Sequence, residues 1–551
     1  MGNSQPNSKL ILSQILDKIN AVELPEGGVE LTELPALKLQ EMIFSGKVSY
    51  PEVVQAFHRQ KVAEQNRHFS LTDVFFEGPF AEAQAWQARL QGPGGLNPAD
   101  APLLGFVLVV KDHMLLEGTL STCGLATNLG HPWNEKVEFF DFLRRKGAVI
   151  MSKGNIPQGM LAIESTNNLF GTTQHPLRPS RTPGGSSGGD AAAICLGLAN
   201  ISFSSDGAGS LRIPASFCGL ATIKTTSSRF DTSVIGGLLR TRPDFATTPD
   251  AIKIFQTVLG PLARDCRDLA AFFRVYADFR EINRHLPPLV WRTPSLRPRI
   301  GVLKELDLLE STVTARRALN TTCDILRARG FEIVELDINH LMPDLFRTIM
   351  GALFKSNLLI DIISGKHHMN EPAIEAYKLF IQMIKAPTVL LRTLKSKFPI
   401  RQQMVIESQL DSRELNNIHF TEKMGHFRGV FTKLFRELGI ELCLTHSIPP
   451  AMLHGTTSRC SLVSLYFFIW NFLDFVAGVV PVTTVRADEE VYESKYDDVL
   501  SQAIVENMKG SAGLPVSVQV VGLPYLEEEV LEVMQIVEDS CGFLENYKFK
   551  A

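Results

Sequence analysis

The sequence predicts an α/β chain, mostly one sheet with helices on its faces, and three observations carry that reading. Short valine-rich apolar runs alternate with amphipathic segments along most of the chain. Stretches of small residues occur where a helix would press closely against a sheet. Apolar residues make up 45% of the 551, with 34 phenylalanines among the aromatic ones, enough for a large buried core. The mean hydropathy of +0.05 is that of a folded chain, not a disordered one.

Taken in order, the elements read as follows. "LILSQILDKI" forms one amphipathic helix with Leu10, Ile11, Ile15, Leu16 and Ile19 on a single stripe, too short and polar to cross a bilayer. "LLGFVLVVKD" (103–112) is a buried strand ending at Lys111. A helix from about Phe139 to Lys146 leads into the strand "GAVIMSKGN". After "GGSSGGD", the stretch "AAAICLGLA" suits a helix packed on a sheet, and "NISFSS" is a strand ending just before Asp206. The same unit recurs at 298–340, with strand "RIGVLKE", a helix near 314–329 and strand "FEIVELD". The run "LVSLYFFIWNFLDFVAGVVPVTTV" (462–485) is long enough to span a membrane, but Asn471, Asp474 and Pro481 interrupt it. A central carboxylate is costly in lipid, so this run reads as a buried helix followed by a core strand.

Composition excludes several classes. A net charge of −4 and a pI near 6.4 argue against a nucleic-acid partner, whose phosphates favour a basic face. The eight cysteines are scattered without a CxxC pair, and no secretory leader precedes them, so reduced thiols in the cytosol are expected. "MGNSQP" begins like a myristoylation site, but Pro6 stands where serine or threonine is wanted. His113, His367 and His368 lie outside any metal-ligand pattern, and no metal or cofactor is expected.

Chemistry concentrates in two glycine-framed serines, Ser186 in "TPGGSSGGD" and Ser210 in "SSDGAGSLRIPA". The first satisfies G-x-S-x-G, but a nucleophile elbow needs an apolar strand before its serine, and here "PLRPSRTPG" precedes it. A phosphate loop fails because no GK[ST] follows. A glycine-rich turn of structural use alone remains open at this point. Lys111 lies at the carboxyl end of an apolar strand, where α/β active sites gather. There it is either a solvated strand end or, if buried, a lysine of lowered pKa able to act as a neutral base.

Together, Lys111, Ser186 and Ser210 resemble the Ser–cisSer–Lys triad of the amidase signature family. The resemblance runs through "GFVLVVKD", "TPGGSSGGDAAAICLGLANISFSSDGAGSLRIPASFCG" and "GLPVSVQVVG" (513–522), and covers roughly residues 35 to 540. "GNIPQGMLAIESTNNLFG" (154–171), "GPLARDCRDLA" (260–270) and "FLDFVAGVVPVTTV" (472–485) look like its fatty acid amide hydrolase branch. The resemblance implies an amidase-signature α/β fold with a central mixed sheet and a helical membrane-cap insertion. It implies Ser210 as nucleophile, Ser186 as a relay preceding a cis peptide, and Lys111 as terminal base. The backbone amides of Gly207, Ala208, Gly209 and Ser210 would form the oxyanion hole, with Met160 lining the site. Asp206 and Arg212 are expected to pair structurally.

The chain departs from the family pattern at Ala208, where a glycine is usual, at Asp190 in place of glutamate, and in "ATIKTTSS" (221–228), which lacks a proline. The family's N-terminal membrane-spanning helix is also not seen. If Ala208 must take φ > 0, it carries a penalty of about 1 kcal/mol and displaces the hole. From Ala376 to Ile406 the chain has no acidic residue but carries Lys378, Lys385, Arg392, Lys395, Lys397 and Arg401 among apolar residues, with Pro387 breaking the run. Two basic amphipathic helices fit, lying on an anionic interface or packed on the core with lysines in water. Their position is that of the family's membrane cap.

The implied organisation is an N-terminal helical segment (1–99), an amidase core with the Lys-Ser-Ser site (100–290), an insertion bearing the cap (291–455) and the C-terminal part of the core (456–551). The implied activity is hydrolysis of fatty acid amides, of N-acylethanolamine or primary amide type, at the cytoplasmic face of intracellular membranes, with room for a homodimer. Two rivals stand beside it: a soluble small-amide amidase of the same family, and a weakly active lipid-binding relative, motivated by Ala208.

Overall fold

The computed structural model describes residues 13–18, 29–64, 66–230, 232–236, 257–281, 283, 286–287, 290–355 and 386–551. Among the described residues thirteen strands are formed: β1 Leu71–Val74, β2 Val107–Lys111, β3 Val149–Gly154, β4 Thr166–Asn167, β5 Gly171–Thr172, β6 Ile201–Asp206, β7 Ala221–Lys224, β8 Val258–Ala263, β9 Arg299–Leu303, β10 Glu332–Glu335, β11 Leu442–His446, β12 Val476–Thr484 and β13 Pro515–Gly522. All but the small β4–β5 hairpin join one eleven-stranded sheet, in the order β1-β3-β2-β6-β8-β7-β12-β13-β11-β9-β10.

The sheet is mixed. β3, β2 and β6 run parallel to one another, as do β11, β9 and β10, and antiparallel strands join the two groups. The central strands are buried along their whole length because helices cover both faces, which is why they read as continuous apolar runs without alternation. β12 carries Pro481, and its pairing with β13 shifts register between Pro481 and Thr483, where a residue without an N–H costs no ladder bond.

The sequence-derived elements map closely onto this sheet. The expected strand ending at Lys111 is β2, and "NISFSS" is β6, which extends one residue further to include Asp206. The 462–485 run divides into a buried helix, Leu465–Phe472, and the core strand β12. Among the described residues no helix is long and apolar enough to cross a membrane. Residues 13–18 are helical with Ile15 buried, while Leu10, Ile11 and Ile19 lie outside the described residues.

The topology positions the site. β2 and β6 are parallel neighbours, so Lys111 and Asp206, the last residues of each, emerge at the same edge of the sheet. The turn after β6 carries Ser210 and runs into the helix Arg212–Cys218. The "GGSSGG" loop runs into the helix Gly188–Cys195, whose residues are all buried. That helix is built of glycine, alanine and other small residues, which lets its backbone approach the sheet and brings Ser186 over the end of β2.

Candidate active site

Lys111 is fully buried, and its Nζ donates to Ser186 Oγ at 2.8 Å. Ser205, on the neighbouring strand β6, accepts from the same Nζ at its Oγ (3.2 Å) and its carbonyl (3.3 Å). Burial pulls the Lys111 ammonium down to about 8, and the nearby carboxylates of Asp190 and Asp206 partly oppose the shift. The lysine is therefore not a solvated strand end, and its neutral form is accessible near pH 8.

Asp190, the departure noted in sequence, sits fully buried behind this pair. Its carboxylate accepts from Ser204 Oγ, and burial pushes its carboxyl upward against the opposing influence of that hydrogen bond and of Lys111. The shorter aspartate thus still reaches β6.

The loop holding Ser186 is tightly cast. The peptide bond between Gly185 and Ser186 is cis, so it lies on the amino side of Ser186 and does not follow it. A Cβ on Gly185 would fall 2.5 Å from the Ala162 carbonyl oxygen, so no larger residue fits. Ser165 Oγ braces both ends of the turn, donating to Gly184 O at 3.1 Å and accepting from Gly188 N at 3.0 Å. The Ser187 amide donates to the Ser210 carbonyl at 3.2 Å, which ties the two serine motifs together.

The Ser210 turn is organised around Asp206. Its carboxylate accepts from the Gly209 amide at 2.7 Å and the Leu211 amide at 3.3 Å. Arg212 adds a bidentate pair, Nε at 2.9 Å and Nη2 at 3.1 Å. Both side chains are fully buried, so Asp206 and Arg212 do pair structurally. Although burial alone would raise the Asp206 carboxyl, Arg212 and the amides outweigh it and hold it well below the ordinary carboxylate range.

Two features of the loop bear on the residues expected there. The Gly209 N–H is turned to Asp206, while the amides of Gly207, Ala208 and Ser210 have no acceptor among the described residues. The residue in the left-handed region is Gly209, at φ 107°, and Ala208 is not among the non-glycine residues of positive φ. The anticipated backbone penalty at Ala208 does not arise, because the turn demands positive φ one position later.

Ser210 is half-buried, and its Oγ has no hydrogen-bond partner among the described residues. Met160, at φ 63° beside Gly159 at φ 64°, packs against Cys123, Leu125 and Ile156. An L residue held there is uncommon and costs of order 1 kcal/mol, a strain that clusters at functional sites. Sequence reasoning missed Ser205 and Ser165. Ser205 carried a signal, since it precedes Asp206 in the strand that ends beside Lys111; Ser165 carried none.

Residues 376–385 of the basic segment, with Lys378 and Lys385, lie outside the described residues. From Pro387 onward the chain forms a short helix Thr388–Leu394, a 3-10 turn Lys395–Lys397 and the helix Ile400–Glu414. Val389, Leu390, Phe398 and Ile400 are exposed, whereas Leu391 is buried. Arg401, one of the six basic residues of the expected basic amphipathic helices, is buried, ion-paired with Asp498, and stacked over Tyr496.

Comparison with known proteins adds the following. The family model described as Amidase matches residues 52–531. Fatty-acid amide hydrolase 1 of Sus scrofa is 30% identical over 523 residues, covering 92% of this chain and 86% of that protein. Fatty acid amide hydrolase 1 of Caenorhabditis elegans is 28% identical over 522 residues, covering 91% and 87%. A solved fatty acid amide hydrolase structure has a similar fold, with a TM-score of 0.74 at 21% identity over 100% of this chain and 92% of that one.

Proposed function

The chain belongs to the amidase signature family and is an amide hydrolase, and on that premise we propose that it cleaves fatty acid amides through a serine relay. The observation that carries the mechanism is the buried contact between Lys111 Nζ and Ser186 Oγ, at the sheet edge where the Ser210 turn begins. Neutral Lys111 accepts the proton of Ser186 as Ser186 accepts that of Ser210, and Ser210 Oγ attacks the amide carbon. The carbonyl oxygen gains negative charge, which the amides of Gly207, Ala208 and Ser210 stabilise. Collapse of the tetrahedral intermediate breaks the C–N bond. The proton returns along Lys111 and Ser186 to the departing nitrogen, releasing the amine. Water, deprotonated by the same relay, then attacks the acyl-serine and releases the fatty acid.

Asp206 and Arg212 hold the shape of the loop, and Met160 borders the acyl site. The fatty acid amide assignment is supported by the two amide hydrolase relatives and by the exposed Val389, Leu390, Phe398 and Ile400, which suit contact with a lipid surface where such substrates dissolve. The activity is then that of a membrane-associated enzyme whose product fatty acid returns to the bilayer. A fluorophosphonate probe that labels the wild-type protein at Ser210, followed by a panel of long-chain and short-chain amides, tests both levels. Absence of labelling sinks the serine mechanism, and equal turnover of short soluble amides sinks the fatty acid assignment.

A further inference from the structure

We propose that Asn471, on the Leu465–Phe472 helix, is a positioning residue for the Ser210 turn; this rests on the reading of Ser210 as nucleophile. The cage around Asp206 consists mostly of bonds within residues 206–212, to Gly209, Leu211 and Arg212. Such bonds fix the internal shape of the turn but travel with it; its position relative to Lys111 and Ser186 is set in part by β6, which ends at Asp206, and by the Ser187 amide on the Ser210 carbonyl.

Two distant side chains add anchors on the cage itself. Asn471, 265 residues beyond Asp206, donates from Nδ2 to the Asp206 carbonyl at 3.1 Å and to its Oδ1 at 3.0 Å. Its Oδ1 accepts from Arg212 Nη2 at 2.5 Å. Gln519 on β13 accepts from Arg212 Nη1 at 3.1 Å, while its own amide donates to the carbonyls of His446 and Tyr466. Gln519 reaches only the arginine. Among the described side chains, Asn471 is the one that bonds both the backbone carbonyl and the carboxylate of Asp206.

The same helix face makes a second contact. Phe467 stands one turn before Asn471, so both project the same way. A Cβ on Gly209 would come 2.8 Å from Phe467 Cβ, and the Arg212 guanidinium lies 5.2 Å from the Phe467 ring centroid. The helix therefore presents one apolar and one polar side chain to the turn, pressing on Gly209 while holding Asp206. Because the Gly209 amide is committed to Asp206, the direction of its neighbours' amides follows from where that carboxylate is held. Oxyanion donors must be placed within about half an ångström, so loosening the anchor weakens transition-state binding more than ground-state binding.

The test compares Asn471→Ala with Tyr466→Phe in the full chain. Tyr466 lies on the same helix, but its hydroxyl bonds to Leu306 N and Leu309 O, away from the turn. For Asn471→Ala, kcat and the rate of fluorophosphonate labelling should fall together by about tenfold to a hundredfold, with KM changed less than about twofold. The alkaline rise of the pH profile should keep its midpoint, since Lys111 is untouched. Tyr466→Phe should lose thermal stability with kcat retained. If the alanine variant does not accumulate, Asn471→Ser replaces it. The serine has one donor and cannot span both Asp206 oxygens, so the same split is expected at smaller size. Wild-type kcat in the folded Asn471 variant, or a loss no greater than that of Tyr466→Phe, overturns the proposal. A wild-type protein that the probe leaves unlabelled overturns the nucleophile reading, and this inference with it.

Discussion

Lys111 Nζ stands 2.8 Å from Ser186 Oγ, and neither side chain is open to solvent. Burial disfavours the ammonium, so its pKa falls to about 8. In the proposed relay Lys111 must be neutral to accept a proton, so activity should be lost as pH falls below this value. We predict that kcat/KM rises through about pH 8 and declines close to tenfold per unit on the acid side. Lys111→Ala should lose several orders of magnitude at neutral pH. Lys111→Arg, which keeps the charge but cannot deprotonate, should be inactive across the range. A flat profile from pH 6 to 9, or near-normal turnover by Lys111→Ala, would remove lysine as the base.

The two serines should separate. In the proposed relay Ser210 is the nucleophile, so Ser210→Ala should abolish both turnover and probe labelling. Ser186→Ala removes a hydroxyl shuttle that water partly replaces, so it should label slowly and retain intermediate activity. Mass spectrometry of the labelled protein identifies the modified residue, and a label on Ser186 would invert the assignment.

The turn around Ser210 makes neighbouring positions unequal. Ala208 needs no left-handed conformation, so Ala208→Gly should change kcat less than about threefold and slightly lower stability through added backbone freedom. Gly209 sits at φ 107° with Phe467 Cβ 2.8 Å from where its own Cβ would stand. Gly209→Ala should therefore cost both stability and at least about a hundredfold in kcat, as a displaced oxyanion donor does. A large gain from Ala208→Gly would show that the alanine displaces the hole after all.

Much of this is legible in the sequence. Lys111 could be placed at a strand end because a strand buried on both faces leaves an unbroken apolar run. Ser186 and Ser210 stood out because their turns need glycine. What stayed hidden depends on distant partners. Asn471 read only as a polar interruption of an apolar run, since a contact across 265 residues leaves no local pattern. Arg401 read as one cation of a basic face, yet it folds inward to Asp498, 97 residues on. The order of the strands, with β8 lodged between β6 and β7, has no signature in periodicity either.

Arg401 also changes what lipid binding should look like. Of the four described cations in the segment, Arg401 is buried in its ion pair, Arg392 is paired with Glu414, and Lys395 with Glu407. A free basic residue near an anionic surface contributes about 1 kcal/mol, and salt screens that contribution. With three of the four engaged, the electrostatic part from these residues is small and the apolar part dominates. Val389, Leu390, Phe398 and Ile400 face solvent, so they supply it. Changing these four to serine should release the protein from neutral liposomes in co-sedimentation and slow hydrolysis of long-chain amides, while short soluble amides are turned over as before. Leu391 is buried and must be left intact, since its loss would damage packing and not lipid contact. Wild-type binding should survive about 1 M salt, where the screening length is about 3 Å. Release by salt alone would mean that charge carries the attachment, and equal slowing of long and short substrates would mean that the four substitutions had disturbed the fold instead of an interfacial surface.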